Sequence, residues 1–242
     1  MATRAEFLDR IRAEVRRAPG LFPATPAPRP ERPAEAAQAV RRQMADRWPG
    51  ALERFREEFA LVSGVFHRVG TMEDVPGVIR DIARQKDARG VTSWDPGQLG
   101  IDLHPSLKAE GLSLVAAPVH GDNDARARYR EAAAAAQIGV TGADFALAET
   151  GTLILMSGPG RPRTTSLLPE THVAIFGKSQ LLETLEQVGV ILEALHAEPE
   201  TARRGAVVNF ITGPSRTADI ELTLTRGVHG PKEVHAIFVD SL

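Results

Sequence analysis

The chain has 242 residues, which at roughly 150 residues per domain predicts one large domain with an appendage. Hydrophobic residues make up 43%, charged residues 25%, and the formal net charge is -2, so the composition excludes wholesale disorder and gives no electrostatic reason to expect nucleic acid or an anionic membrane as partner. The absence of cysteine excludes disulfides, zinc fingers and iron–sulfur ligation by this chain. The charged N-terminus lacks the apolar core of a signal peptide, and we therefore expect a cytoplasmic protein that is not integral to a membrane.

Residues 1 to 33 are expected to form an arm ahead of an α/β domain that occupies residues 34 to 242. A helix is predicted over residues 4 to 18, because apolar residues recur there at four-residue spacing: Phe7, Ile11 and Val15. That helix either packs on its own domain or docks on a partner protein. The six prolines of residues 19 to 33 favour extended backbone, so this stretch is interpreted as a linker.

Short apolar runs alternate with helical periods along the rest of the chain. The first helix is expected over residues 34 to 59, with a break near Trp48, Pro49 and Gly50, and another over residues 74 to 88. The clearest helix follows Lys178, where apolar residues recur at spacings of three and four. Strands are predicted at residues 65–69, 90–94, 112–117, 145–148, 152–156, 172–176, 206–211 and 234–239. This alternation predicts an α/β fold with a mainly parallel sheet and helices on both faces.

One neighbouring pair of strands breaks the parallel pattern. The segment FALAETGTLILM has two apolar runs on either side of Glu149, Thr150 and Gly151, which leaves too few residues for a helical crossover. A tight antiparallel turn is therefore predicted, and with it a mixed sheet. Residues 218 to 227 fit the period of a strand and that of a helix, so their structure is left open.

The loop GPGRPRTTS, residues 158 to 166, combines glycines with basic and hydroxyl side chains directly after a predicted strand. Its glycines allow close backbone approach, while Arg161, Arg163 and the hydroxyls through Ser166 can bind a carboxylate or a phosphate. Ligands of open α/β sheets bind beyond the carboxyl ends of the strands. This loop is therefore a candidate anion cradle, and a solvated surface loop is the alternative.

Two further loops carry polar side chains that packing does not require. Glu149 is either a general base or nucleophile, or a turn residue whose carboxylate caps backbone N–H groups. Arg216 either recognises a carboxylate or pairs internally with Asp219 or Glu221. We predict that Glu149, Arg216 and His229 converge in one pocket, because parallel strand order brings loops together at one edge of the sheet.

The spacing of the histidines gives no support for a metal site in this chain. Both His172 and His229 could titrate near neutrality, but the sequence has no HxxH or HxxxH pair. The GPGRPR loop also lacks the third glycine of the dinucleotide fingerprint. We therefore expect neither metal nor cofactor in this chain.

Three segments together resemble the lactate-utilisation (LUD) domain family, and within it the short, cysteine-free C-type members. They are GVTGADFALAETGTL, SLLPETHVAIFG and ITGPSRTADIELTLTRGVHGPKEVHAIFVD, and the resemblance runs from about residue 50 to the C-terminus. It implies a fold similar to that of glucosamine-phosphate isomerases, ribose-phosphate isomerases and CoA transferases, preceded by an N-terminal helical arm. The positions that it marks are Glu149, Thr150, Gly151, Ser166, Pro169, His172, Gly213, Ser215, Arg216, Thr217, Asp219, Glu221, Gly227, His229 and Gly230.

The resemblance also implies a function. It points to a subunit or accessory protein of a cytoplasmic system that oxidises L-lactate to pyruvate with iron–sulfur partner proteins, and the lack of cysteine fits electron transfer through clusters in those partners. The alternative is a stand-alone enzyme of the same fold, such as a sugar-phosphate isomerase, a CoA transferase or a formyltetrahydrofolate cyclo-ligase. Glu149 is then the candidate base or nucleophile.

Overall fold

The structure is a computed structural model that describes residues 3–17, 31–120, 123–197, 207–218 and 224–242. Two compact units are present, Met1–Glu31 and Arg32–Leu242. The first contains helix α1 (Arg4–Arg17), an amphipathic helix with exposed apolar side chains. The division that the sequence predicts after residue 33 remains a prediction.

The second unit is built on a six-stranded sheet whose pairings are all parallel. Residues of the central strands are almost all buried, because both faces of a parallel sheet are covered. In spatial order the strands are β1 (Val65–Val69), β12 (Glu233–Val239), β7 (Thr171–Gly177), β4 (Ile138–Gly142), β2 (Gly90–Ser93) and β3 (Ser113–Ala116).

Helices flank this sheet, as the alternating pattern predicts, and the α/β class is confirmed. The longest of them lies against the sheet and against the last helix. In chain order they are α2 (Pro33–Leu61), α3 (Val75–Gln85), α4 (Pro96–Leu99), α5 (His104–Ala109), α6 (Asn123–Ala135), α7 (Thr164–Leu167) and α8 (Leu185–Ala197).

The predicted antiparallel pair is present, but it belongs to a second sheet. Its strands are β5 (Phe145–Leu147) and β6 (Thr152–Met156), flanked by β8 (Leu181–Leu182) and β9 (Val208–Ile211) in the order β8-β5-β6-β9. The fold thus combines a parallel sheet with a mixed one. Part of the segment that the sequence left open forms an antiparallel ribbon of β10 (Arg216–Ala218) and β11 (Leu224–Arg226), while residues 219–223 lie outside the described residues.

Strand β4 lies near the centre of the parallel sheet, although sequence analysis does not predict it. Two glycines and a threonine hide its apolar pattern. Gly139 is required by packing, because a Cβ there would overlap the carbonyl oxygen of Thr165 in α7. Because α7 packs so closely on β4, this position has no side chain, and the apolar pattern by which a strand is usually recognised is interrupted.

The expected break in α2 is wrong, since the helix continues through Pro49. An internal proline costs a helix about 3 kcal/mol. Tertiary packing on both sides of the proline offsets that cost: Leu52 is buried, and Trp48 stacks on Phe238 of β12 with ring centroids 5.9 Å apart. The helix after Lys178 also begins later than predicted, because residues 181–182 pair with β5 as strand β8.

An aromatic cluster joins α2 to the parallel sheet. Phe55 stacks on Phe59 within the helix, at a centroid distance of 5.2 Å, and meets Phe176 of β7 edge-on at the same distance. Phe176 in turn meets Phe238 at 5.5 Å. Burying each such ring contributes on the order of 2 to 3 kcal/mol, so this cluster is a strong apolar contact between α2 and the parallel sheet.

Three histidines lie inside the parallel sheet. The ring of His172 is fully buried, with Nε2 2.8 Å from Thr141 Oγ1. His235 Nδ1 is 3.0 Å from His67 Nε2, and its Nε2 is 3.5 Å from Glu233 Oε2. Burial, together with repulsion from His235, lowers the pKa of His172 to about 3, and burial together with His67 lowers the pKa of His235 to about 4. Both rings are therefore neutral in the folded protein near neutral pH.

We predict that the protein loses stability on acidification. Unfolded histidines bind protons as the pH falls through about 6.5, whereas His172 and His235 stay neutral in the folded state down to about 3 and about 4. The unfolded state therefore binds more protons across that window, and the free energy of unfolding decreases as the pH falls. Urea denaturation at about pH 8 and about pH 5 measures the difference.

The variants His172→Gln and His235→Gln each remove one titrating group. Either variant that folds should show a smaller loss of stability between the two pH values than the wild type. A wild-type free energy of unfolding that is equal or higher at the acidic pH would contradict the prediction.

Candidate functional site

The strand order of the parallel sheet reverses between β2 and β4, which lie side by side. From this point β3 lies outward on one side, and β7 and β12 lie outward on the other. Such a switch point leaves a crevice beyond the carboxyl ends of the two strands, where α/β proteins bind ligands. The chain leaves β2 through Trp94 and leaves β4 through Asp144, so these two residues stand at the switch point.

A half-buried ion pair occupies this position. Arg161 Nη2 donates a hydrogen bond to Asp144 Oδ2, and the two side chains are only 14% and 16% exposed. The backbone N–H of Met156 donates to the same carboxylate oxygen at 2.7 Å. The guanidinium also lies over the ring of Trp94, 4.4 Å from its centroid, which adds a cation–π contact. Trp94, Asp144 and Arg161 are named the switch-point cluster below.

Two donors of this cluster keep unused hydrogen-bonding capacity. Among the described residues, neither Arg161 Nε nor Trp94 Nε1 has an acceptor, although both atoms are buried. Buried N–H groups in proteins are nearly always paired. The cluster can therefore donate further hydrogen bonds to an oxygen-bearing group at the carboxyl edge of the sheet.

Arg161 also anchors the glycine loop of residues 157 to 163. Within the loop, Gly158 and Arg161 exchange backbone hydrogen bonds of 3.2 and 2.9 Å, and the N–H of Asp95 donates to the carbonyl of Gly160 at 2.9 Å. Gly160 has φ +70°, and a Cβ there would lie 2.8 Å from Asp95 Cβ. The loop thus lies tightly against the end of β2, at a distance that only glycine allows.

A cavity of about 400 Å³ lies between the glycine loop and α6, and is named the switch-point cavity. Arg126 and Arg130 are one helical turn apart on α6, so both guanidinium groups line it. Of the described residues that line it, these two carry formal charge. The remaining lining residues are Pro118, Val119, Tyr129, Gly158, Pro159, Gly160, Pro162 and Thr164.

Tyr129 holds α6 in place beside this cavity. Its hydroxyl donates to the carbonyl of Ser93 at 3.0 Å and is 2.8 Å from Thr165 Oγ1. Burial raises the pKa of Tyr129, so the hydroxyl stays protonated and neutral. The two arginines therefore extend from a fixed helix, and two forked guanidinium groups on such a helix are suited to a carboxylate or a phosphate.

Residues of the predicted anion-binding loop, 158 to 166, have two different roles in the structure. Arg161 is turned inward to Asp144, whereas the loop glycines and Thr164 line the switch-point cavity. Arg163 is exposed at the start of α7, and Ser166 is buried with its hydroxyl donating to the carbonyl of Arg163 at 3.1 Å. The cations that face the cavity are thus those of α6.

The turn that contains Glu149 lies in the second sheet, away from the glycine loop in sequence. The Glu149 carboxylate accepts a hydrogen bond of 3.3 Å from the backbone N–H of Leu185, the first residue of α8. Negative charge is favourable at that end of a helix. Thr150 Oγ1 is 2.7 Å from Thr152 Oγ1, which is 2.8 Å from Thr212 Oγ1, so hydroxyl groups connect this turn to the end of β9.

Two glycines bring separate loops against the C-terminal end of α2. Gly151 has φ +59°, and a Cβ there would overlap the backbone of Phe59. Gly213 has φ +79°, and a Cβ there would overlap the carbonyl oxygen of Val62. Both positions therefore require glycine for packing as well as for conformation.

The Gly213 loop also contacts this end of α2 through Arg216, at the start of β10. Its Nη2 donates to the carbonyl oxygen of Val62 and, at 3.2 Å, to Ser63 Oγ. Ser215 Oγ accepts a hydrogen bond of 3.2 Å from the backbone N–H of His229, whose side chain is exposed. Two loops thus lie against one end of α2, and the loop of His229 contacts one of them through Ser215. The side chains of Glu149, Arg216 and His229 have separate surroundings, and a pocket shared by them remains a prediction.

The remaining candidate site residues have three kinds of surroundings. His172 is enclosed in the sheet beside Thr141. Gly230 lies beside Ser215, since a Cβ at Gly230 would be 3.5 Å from Ser215 Cβ. Thr217 belongs to strand β10, and its side chain lies outside the described ones, as do Asp219 and Glu221 entirely.

Sequence analysis missed the residues that form the switch-point cluster and the charged wall of its cavity, apart from Arg161. The spacing of Arg126 and Arg130 was a usable signal, because residues four apart share one helix face. Asp144 is the second residue after β4, so recognising that strand would have placed this carboxylate at the carboxyl edge of the sheet. Trp94 offered no such signal, since a tryptophan after an apolar run is typical of any core.

The described residues contain neither a metal-binding cluster nor a membrane-spanning helix. No cluster of three or more histidine, cysteine, aspartate or glutamate side chains there has the geometry to bind a metal ion. No helix in the same ranges has the length and apolar character needed to cross a membrane.

Comparison with known proteins gives consistent matches over most of the chain. The LUD domain model matches residues 52–239. Lactate utilization protein C of Halalkalibacterium halodurans is 38% identical over 164 residues, which are 67% of each chain. Proteins of the same name from Shouchella clausii and Exiguobacterium sp. are 42% identical over 154 residues and 46% identical over 113 residues, or 63% and 48% of those relatives.

A solved structure shares the fold. The crystal structure of a DUF162 family protein from Deinococcus radiodurans superposes with a TM-score of 0.51 and 21% sequence identity. The match covers 79% of this chain and 98% of that one. At this identity the likeness extends to the fold alone.

We predict that Gly160→Ala destabilises the protein and displaces the glycine loop. Alanine at φ +70° is strained, and its Cβ would lie 2.8 Å from Asp95 Cβ and 3.0 Å from Val119 Cγ2. The expected loss is about 1 to 3 kcal/mol in the free energy of unfolding, measured by urea denaturation.

Gly189→Ala in α8 is the matched control. No atom lies within 4 Å of a Cβ at that position. Since alanine has the higher helix propensity, the control should gain about 0.5 to 1 kcal/mol. Equal effects of the two substitutions would show that close packing of the glycine loop is absent.

Proposed function

Because this chain belongs to the LUD domain family, we propose that it is a component of a cytoplasmic system that oxidises L-lactate to pyruvate, with the switch-point cavity as its carboxylate site. One observation supports the proposed role in lactate utilisation: relatives named Lactate utilization protein C align with up to 67% of the chain at about 40% identity. The geometry of the cavity supports the ligand class.

The charge of the cavity supports a carboxylate ligand. Arg126 and Arg130 face the glycine loop, and the described lining residues contribute no carboxylate to repel an anion. Charge-assisted hydrogen bonds from guanidinium groups are among the strongest that a carboxylate can accept. Lactate and pyruvate both carry one carboxylate, so the same two arginines can hold the substrate and the product.

The chemistry of the reaction requires a partner. Oxidation of L-lactate to pyruvate removes two electrons and two protons from the hydroxyl-bearing carbon and its oxygen, and these electrons must reach an acceptor. A chain without cysteine cannot ligate an iron–sulfur cluster through thiolates. We therefore place the acceptor in iron–sulfur partner proteins, and assign to this chain the binding of the carboxylate or the assembly of the complex.

Growth on L-lactate tests this proposal. A strain that lacks every copy of the gene should not grow on L-lactate as sole carbon source, and should grow normally on pyruvate. The wild-type gene should restore growth, whereas the double variant Arg126→Ala with Arg130→Ala should not, because the cavity would lose both cations. The expected loss of carboxylate affinity is about 10- to 100-fold for each strong hydrogen bond removed.

Arg128→Ala is the matched control. Arg128 is exposed on the same helix and does not line the cavity, so this variant should restore growth. Normal growth of the deletion strain on L-lactate would contradict the role in lactate oxidation. Full growth with the double variant would contradict the assignment of the site, and turnover of a sugar phosphate or an acyl-CoA by the purified chain alone would favour the stand-alone enzyme instead.

A further inference from the structure

A second and larger cavity, of about 630 Å³, lies between α2 and α8, is lined in part by Asp144, and is named the α2–α8 cavity. It opens at the carboxyl end of the parallel sheet, where Lys178 directly follows β7 and Asp144 is the second residue after β4. Its walls are mostly apolar and include flexible thioethers and aromatic rings. The apolar lining residues are Met44, Ala45, Trp48, Phe145, Met156, Leu181, Leu182, Ile191 and Leu195.

Two cations face this cavity without a counter-charge. Arg41 and Lys178 are both exposed, and neither forms an ion pair within the described ranges. The carboxylates nearby are already neutralised: Asp144 by Arg161, and Glu183 by Arg47 at 2.9 Å. The net charge that the lining presents to a ligand is therefore positive.

At about 630 Å³, the α2–α8 cavity is larger than the switch-point cavity and has room for a ligand larger than a small carboxylate. Cavities of about 300 to 1,000 Å³ enclose ligands of drug size, and their apolar walls contribute affinity in proportion to the apolar area that they remove from water. Acetate or lactate would leave most of these walls in contact with water. A neutral hydrocarbon would leave the two cations without a partner.

We propose that the α2–α8 cavity binds an amphipathic organic anion, a carboxylate or phosphate ester attached to an apolar body of about eight or more carbons. Arg41 and Lys178 hold the anionic group, and the body packs against Trp48, Met44 and the apolar face of α8. Methionine side chains adapt to ligands of different shape, so aliphatic and aromatic bodies are both accommodated. This site is separate from the switch-point cavity and does not depend on the proposed role in lactate oxidation.

Isothermal titration of the full chain tests the proposal with four probes. Octanoate and 2-naphthoate carry both features, acetate carries the charge alone, and 1-octanol carries the apolar body alone. Octanoate or 2-naphthoate should bind at least ten-fold more tightly than acetate and 1-octanol. The stronger of the two identifies whether the natural body is aliphatic or aromatic.

Substitutions in the lining test whether the probes bind in the α2–α8 cavity. Arg41→Glu with Lys178→Glu should weaken binding of the stronger probe at least ten-fold. Arg42→Glu with Lys108→Glu, at exposed positions outside the lining, should leave it unchanged. Ala45→Trp should abolish binding, because an exposed lining residue would then fill the cavity without disturbing the core.

Three results would overturn the proposal: no binding of either amphipathic anion, equal binding of 1-octanol, or unchanged binding after charge reversal at Arg41 and Lys178. The double variant Arg126→Ala with Arg130→Ala should bind octanoate as the wild type does. That result separates this site from the proposed lactate function, since each can fail without the other.

Discussion

The ion pair between Arg161 and Asp144 is the interaction on which the rest of the site depends. It fixes the end of β4 to the glycine loop, and the guanidinium is held against the ring of Trp94 after β2. A half-buried pair of this kind contributes modest net stability, but it favours one geometry, because a charge left without its partner in this partly dehydrated position is unfavourable. Asp144 itself lines the α2–α8 cavity, and the residues on either side of Arg161 in the chain, Gly160 and Pro162, line the switch-point cavity.

The two sheets explain why a charged pair lies at this point. The chain passes from β4 of the parallel sheet into β5 of the mixed sheet through two residues, Ala143 and Asp144. The carboxylate is therefore positioned where the sheets meet, and it also accepts the backbone N–H of Met156 at the end of β6. The aromatic cluster joins α2 to the parallel sheet through the contact between Phe55 and Phe176.

Local pattern was enough to predict the class of the fold and most strands, but not the features that depend on contacts distant in sequence. Strand β4 is hidden because Gly139 makes room for α7, and the continuity of α2 through Pro49 results from packing on both sides of the proline. Among the site residues, the glycine loop was recognisable from its composition. The inward turn of Arg161 was not, because its partner Asp144 is 17 residues away, in the connection between β4 and β5.

A double-mutant cycle on Arg161 and Asp144 tests the central claim most directly. Urea denaturation would give the free energy of unfolding for the wild type, Arg161→Ala, Asp144→Ala and the double variant. Each single variant should lose about 1 to 3 kcal/mol, because it removes a charge-assisted hydrogen bond and leaves a half-buried charge unpaired, and the double variant should lose clearly less than the sum of both. Losses that add to within about 0.5 kcal/mol would contradict the claim that this pair holds the glycine loop at the switch point.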